Sequence, residues 1–103
     1  MKEFTQRIIQ IIQDIPSGYI MTYGQIAKEA GNPRAARQVA RILHSMSQKH
    51  NLPWHRVVNA KGEIVIKNEE GVWTQRTLLE KEGISVQEGK VVVVEKYRFD
   101  KRT

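Results

Sequence analysis

The chain contains no cysteine. That absence removes disulfide frameworks, thiolate nucleophiles and cysteine-ligated zinc from its chemistry. Histidine is scarce as well: His44, His50 and His55 lack the short paired spacings of a metal site, and neither a metal nor a cofactor is expected. A glycine-rich phosphate loop and a serine nucleophile on a strand-to-helix elbow are also missing. No apolar run approaches the ~20 residues that cross a bilayer, and Met1-Lys2-Glu3-Phe4-Thr5-Gln6-Arg7 lacks the apolar core of a signal peptide. The expectation is a cytoplasmic protein with no membrane association, lying near the nucleoid if bacterial.

Acid is missing from the middle of the chain. Between Ile15 and Gly62 stand Lys28, Arg34, Arg37, Arg41, Lys49, Arg56 and Lys61 against the single acid Glu29, whereas both flanking segments are balanced. The whole net charge of +6 therefore lies in that segment. Concentrated charge of this kind marks polyanion binding, because each Lys or Arg at a phosphate releases a condensed counterion. With 103 residues, 40% of them hydrophobic, the chain has material for one core and a single domain over 1–103.

Phe4, Ile8, Ile11, Ile12 and Ile15 recur at helical spacing, which predicts an N-terminal helix over 1–15 ended by Pro16-Ser17-Gly18. Thr22 stands where an N-cap belongs, ahead of a short helix from Tyr23 to Ala30 closed by Gly31. Asn32-Pro33 reads as the cap and first turn of a longer helix. On that helix Arg34, Arg37, Arg41, His44 and Gln48 fall within an arc of about 80°, with Ala36, Val39, Ala40, Leu43 and Met46 on the core side. Together these pieces predict a helix-turn-helix over 22–48. Ala35 and Ala36 beside Arg34 and Arg37 would let the helix backbone approach a narrow minor groove while arginine reaches among the bases. The plainer reading is that alanine is a good helix former.

Beyond the basic segment, Val57-Val58 and Ile64-Val65-Ile66 read as two short strands around Asn59-Ala60-Lys61-Gly62, a small wing that completes a signature-and-wing segment over 53–67. A helix from about Val72 to Glu82 buries Leu78 and Leu79. Ser85 to Glu95 reads as a hairpin around Gln87-Glu88-Gly89-Lys90, with Val91 to Val94 as an apolar strand. The charged tail over 96–103 is expected to be frayed, unless Tyr97 and Phe99 pack back. The fold class is thus mainly α (α+β), a winged helix-turn-helix-like domain with a short β-hairpin.

One stretch organises this pattern: Pro53-Trp54-His55-Arg56-Val57-Val58. It resembles Pro-Cys-His-Arg-Val, the signature of the O6-alkylguanine-DNA alkyltransferases, with Trp54 at the acceptor cysteine. In that form it is similar to the alkyltransferase-like proteins, damage binders that share the enzymes' DNA-binding domain. The resemblance extends through Thr22-Tyr23-Gly24-Gln25-Ile26-Ala27, Asn32-Pro33-Arg34-Ala35-Ala36-Arg37-Gln38-Val39 and Leu78-Leu79-Glu80-Lys81-Glu82-Gly83, covering about 15–83 in order. It implies the fold of the alkyltransferase C-terminal domain. It also implies an arginine finger at Arg37 that fills the space of an extruded nucleotide, and a tyrosine, Tyr23, that turns its phosphate. Thr22, Arg34, Ala35, Ala36 and Arg41 would meet the DNA backbone. Tyr23, Trp54, His55, Val57 and Lys67 would form the lesion pocket. Lys67 stands where alkyltransferase-like relatives carry an arginine that stacks on guanine; lysine keeps the charge without the planar face, and the other reading is a solvated lysine. Met46 replaces an asparagine usual beside the enzymes' active site.

In the enzymes, glutamate acts through histidine and water on the cysteine, whose thiolate takes the alkyl group. His55 and Glu82 remain, but Trp54 offers only an indole N–H and a π face. Alkyl transfer needs a soft anionic nucleophile, so no enzyme and no catalytic residue are expected. His55 and Glu82 should persist as a hydrogen-bonded pair supporting the pocket, with Arg56 pairing with a carboxylate or the backbone. The resulting expectation is a monomeric, non-enzymatic binder of O6-alkylguanine in duplex DNA. By resemblance it would mark the lesion for nucleotide excision repair proteins and compete with alkyltransferases. The alternative is a winged helix-turn-helix transcription regulator, which would normally dimerise and read the major groove.

Overall fold

The computed structural model describes residues 2–100. The N-terminal isoleucine stripe forms α1 (Glu3–Gln13), with Ile8, Ile9 and Ile12 buried. The chain turns through Gly18, whose φ of +88° lies in the left-handed region that glycine adopts freely. It then passes β1 (Met21–Thr22) into α2 (Tyr23–Glu29). Thr22 caps α2 as expected: its Oγ1 accepts the Gln25 N–H at 3.1 Å while the Gln25 side chain accepts the Thr22 N–H at 3.3 Å.

The next helix starts later than the sequence suggests. The α3 helix covers Ala36–His50. Asn32 Oδ1 accepts the Arg34 N–H and Asn32 O accepts the Ala35 N–H, both at 3.1 Å, so Asn32-Pro33-Arg34 is spent on a turn. Asparagine and proline favour turns as strongly as helix starts, and here the turn wins. The helix ends at Asn51, in the left-handed region at φ +50°.

A 3-10 turn, Trp54–Arg56, then leads into β2 (Val57–Val58). The expected pairing of β2 with Ile64-Val65-Ile66 is not formed. β2 instead pairs in parallel with β1, Met21 opposite Val57 and Thr22 opposite Val58. Asn59 explains the difference: its side-chain oxygen accepts the N–H groups of Lys61 and Glu63, folding the chain away before a second strand can align. Ile64-Val65-Ile66 is left without strand structure. The hairpin of the fold lies further on, in β3 (Val86–Gln87) and β4 (Lys90–Val91), which pair antiparallel around the turn expected there.

Between them runs α4 (Glu69–Lys81), which begins three residues before the sequence reading because Asn68 caps it, accepting the Gly71 N–H at 2.6 Å. Leu79 is fully buried and Leu78 only partly. The stretch read as an apolar strand to Val94 instead enters a short helix, α5 (Val94–Tyr97). The described part of the tail is docked, correcting the frayed reading for 96–100. The Phe99 N–H reaches Ile20 O at 2.8 Å, the Ile20 N–H reaches Tyr97 O at 2.9 Å, and Gln25 donates to Phe99 O. The remaining tail residues, 101–103, lie outside the described residues.

Two buried clusters result. One holds α1, α2 and α3 together with Leu52 and Val57, and the other gathers Ile20, Val58, Leu79, Ile84, Val86 and Val91. The seam is the β1–β2 ladder. Successive strand residues face opposite sides, so Met21 and Val57 enter the helical cluster while Ile20 and Val58 enter the other.

Glu82, just past α4, ties these parts together. Its carboxylate accepts from His55 Nε2 at 2.8 Å, Arg56 Nη2 at 2.7 Å, Arg56 Nε at 3.0 Å and the Gly18 N–H at 3.1 Å. Arg56 also donates through Nη1 to Ile15 O at 2.8 Å. Burial is the strongest single influence on the carboxyl and works to raise its pKa. The hydrogen bonds from Arg56, His55 and Gly18 together outweigh it and bring the pKa from 4.5 down to about 2. Gln75, buried on α4, donates to His55 O at 3.1 Å and Val57 O at 3.0 Å, fixing the signature backbone from the other side.

A carboxyl depressed in the folded state stabilises the fold above its unfolded pKa, and that stability disappears as pH falls through the folded value. Glu82 therefore contributes on the order of 3 kcal/mol at neutral pH, lost between about pH 5 and pH 2. Urea unfolding across that range should show Glu82→Gln destabilised by about 3 kcal/mol at pH 7 and less sensitive to acid than the wild type. Gln75→Ala should cost about 2 kcal/mol with the wild-type pH profile retained, since no charge is removed.

Candidate nucleic-acid interface

The arginines of the basic segment are held out from the protein. Arg34, Arg37 and Arg41, with His44 and Gln48, are all exposed along α3 and its lead-in, as the helical spacing requires. Among the described residues, Arg7, Arg76 and Arg98 each lie near a carboxylate three or four positions away. Among the described residues, no ion pair or hydrogen bond engages the guanidinium groups of Arg34, Arg37 and Arg41. Their charge is left for an external anion, and the absence of acid nearby in the sequence is the reason.

The small residues divide. Ala36 is half-buried beside this face, whereas the Ala35 side chain is only 6% exposed and packs in the helical core. Ala35 stands four residues before the buried Val39, on the same face, so helical spacing turns it inward. Thr22 is also buried, and its hydroxyl oxygen is engaged by the α2 cap.

Beside the arginine face opens a cleft of about 600 Å³. Helix α3 supplies Ala40, Leu43, His44 and Ser47, the loop before α4 supplies Val65, Ile66, Lys67 and Asn68, and Tyr23, Trp54 and Gln75 complete the lining. Trp54 is half-buried and packs against the helical cluster. Burial pushes the Tyr23 phenol up from its ordinary range, so it stays protonated and able to donate a hydrogen bond at neutral pH. Lys67 is exposed at the cleft's edge.

Two residues expected in the pocket are not in its lining. His55 is turned to Glu82 and Val57 is buried in the core at 1% exposure. Successive residues of a 3-10 turn point about 120° apart. Trp54 therefore meets the cleft while His55, its ring nearly perpendicular at 87°, turns toward Glu82. His55, Arg56 and Glu82 form a support behind the cleft. Met46 packs against the helical cluster and is absent from the lining.

Much of the lining carries no motif in the sequence. Ala40 and Leu43, on the core side by helical spacing, also border the cleft, and Val65 and Ile66, expected in a strand, are 46% and 36% exposed. Three consecutive β-branched residues without alternation, followed by Lys67-Asn68, were the available signal. Among the described residues no group of three or more His, Asp or Glu gathers as a metal site.

Comparison with known proteins places this arrangement. Residues 3–84 match the family described as the DNA-binding domain of 6-O-methylguanine DNA methyltransferase. A protein of Escherichia coli K12 named DNA base-flipping protein is 43% identical over 97 residues, covering 94% of this chain and 74% of its own. Alkyltransferase-like protein 1 of Schizosaccharomyces pombe is 36% identical over 87 residues, covering 84% and 81%. A crystal structure of S. pombe Atl1 in complex with damaged DNA containing O6-carboxymethylguanine superposes with a TM-score of 0.85 at 31% identity, over 97% of each chain. With no cysteine anywhere to accept an alkyl group, the chain is not an alkyltransferase. It belongs to the 6-O-methylguanine DNA methyltransferase DNA-binding domain family and within it is alkyltransferase-like, with Trp54 standing where the enzymes carry their acceptor cysteine.

Proposed function

We propose that this protein binds O6-alkylguanine in duplex DNA by minor-groove docking and nucleotide flipping, and leaves the alkyl group in place. The observation that carries this reading is the cleft at Trp54, open beside an arginine face that has no ion pair among the described residues. Arg34 and Arg41 bind phosphates. Arg37 enters the duplex to fill the space of the extruded nucleotide, and Tyr23 steers that nucleotide toward the cleft. The indole of Trp54, with Leu43, Val65 and Ile66, gives an unstacked purine and its alkyl group an apolar wall.

Extrusion costs a few kcal/mol for a paired base and less for a lesion that already pairs poorly. Each buried alkyl CH₂ adds about 0.8 kcal/mol. Selectivity therefore grows with the alkyl group and is modest for methyl. Because nothing is repaired, the bound complex must act as a signal. We infer that a protein monomer holds the lesion for nucleotide excision repair and denies it to alkyltransferases, in the cytoplasm or on the nucleoid. The relatives' names, and the damaged DNA in the S. pombe complex, support this reading.

The test is equilibrium binding at fixed physiological salt to two matched duplexes, one with a single O6-methylguanine and one with guanine, followed by mass spectrometry of the recovered DNA. Tighter binding with the methyl group still on the DNA is expected; equal affinity would overturn the reading and favour a transcription regulator. Among variants, Arg37→Ala should abolish lesion preference while reducing affinity for undamaged duplex less. Arg41→Ala should weaken every duplex and lower the slope of log affinity against log salt by about 1. Identical behaviour of the two variants would refute this division of roles.

A further inference from the structure

His44 belongs to two surfaces at once. Helical spacing sets it on the exposed arc of α3 with Arg37 and Arg41, and it also lines the cleft at Trp54. Among the described residues no ion pair or hydrogen bond engages its imidazole. The other two histidines are placed differently. His55 is held by Glu82 at 2.8 Å, and His50, partly buried, keeps its Nε2 inside the protein. Charge around His44 is of one sign. On its own helix Arg41 and Arg37 stand one and two turns back, and Lys49 follows toward the end. Across the cleft are Lys67 from the loop before α4 and the phenol of Tyr23 from α2, while the 3-10 turn and α4 present the uncharged Trp54 and Gln75. Neither α3 nor the cleft lining contains a carboxylate. An anion is what these surroundings lack.

We propose that His44 meets a backbone phosphate of the flipped nucleotide as an imidazolium, taking a proton from the medium as lesion DNA binds, so that recognition of the lesion strengthens on acidification. The inference rests on the lesion-binding reading above. An unperturbed imidazole titrates near about pH 6.5, and a phosphate within hydrogen-bond reach favours the charged form. Arginine carries its charge throughout this range, so a histidine on the same face adds a contact whose strength varies with pH. Its place at the cleft also makes the contact conditional, because the phosphate reaches His44 only when the nucleotide is drawn toward Trp54. The contribution is full below the range in which a free imidazole titrates, and it is lost as pH rises through the range of the complex. Glu82 does not contribute to such a response, since its carboxyl titrates at about 2.

The experiment measures the affinity of wild-type protein, His44→Gln and His44→Lys for matched duplexes carrying O6-methylguanine or guanine, at fixed salt, from about pH 8 down to about pH 5.5. Over that range the wild type should tighten about ten-fold on the lesion duplex and much less on guanine. The slope of its log affinity against log salt should steepen by about 1 on the lesion duplex. His44→Gln should lose the pH response, and His44→Lys should bind the lesion tightly across the whole range. Calorimetry in buffers of differing ionisation enthalpy should register proton uptake when the wild type binds the lesion, and none for His44→Gln. Two results overturn the proposal. A lesion preference that is present but constant with pH would make His44 a bystander or an ordinary backbone contact. A response that persists in His44→Gln would belong to His50 or His55. Failure of the lesion reading itself looks different, because the wild type would then show no preference between the two duplexes at any pH.

Discussion

The carboxylate of Glu82 is the point on which the structure depends. It accepts hydrogen bonds from His55, Arg56 and the turn at Gly18, and Arg56 carries the tie on to the carbonyl of Ile15. The end of α1, the signature turn and the end of α4 therefore meet at one anion. A partly buried charge keeps such a position only when its partners satisfy it, and here they hold it ionised down to about pH 2. Trp54 precedes His55 and Arg56 on the same 3-10 turn, so its placement in the cleft follows from where those two neighbours are fixed. The cleft wall is set from behind.

This arrangement explains how a site can lose its chemistry and keep its architecture. In the related enzymes the resemblance assigns Glu82 and His55 to a proton relay. In this chain the relay has no thiol to serve, yet the same pair remains hydrogen-bonded, because Arg56 and Gly18 use the carboxylate for folding. Replacing the nucleophile with an indole therefore leaves the frame intact and turns the reaction centre into a wall. Substitution of Glu82 would damage binding and stability together.

How much of this was legible in the sequence depended on the range of the interaction. The isoleucine stripe of α1, the Thr22–Gln25 cap and the exposed arginines of α3 follow from local spacing, and the structure realises each of them. The Glu82–His55 pair is long-range, and only the resemblance of the signature and the Leu78–Gly83 segment brought its members together. Strand pairing was read less well. Val57-Val58 has a candidate partner strand both before and after it in the chain, and choosing Met21-Thr22 over Ile64-Val65-Ile66 turns on the side chain of Asn59, which closes a turn before a wing can form. The boundary of α3 was missed because Asn32-Pro33 suits a turn and a helix start equally, while Ala35 enters the core through its helical spacing to Val39 and Ile42. For the tail, the packing of Tyr97 and Phe99 stood open beside fraying, because the anchor that decides it, Gln25 meeting Phe99 O, joins residues far apart in the chain.

The parallel ladder between β1 and β2 has a consequence for how this domain is made and inherited. The helix-turn-helix lies wholly between its two strands, so it is a loop whose closing contacts are Met21 with Val57 and Thr22 with Val58. A ribosome that has released only the two helices has not yet produced the residues that shut the loop, and the partner strand arrives attached to the signature turn. The two helices and the turn that carries Trp54 are thus closed by the same contacts.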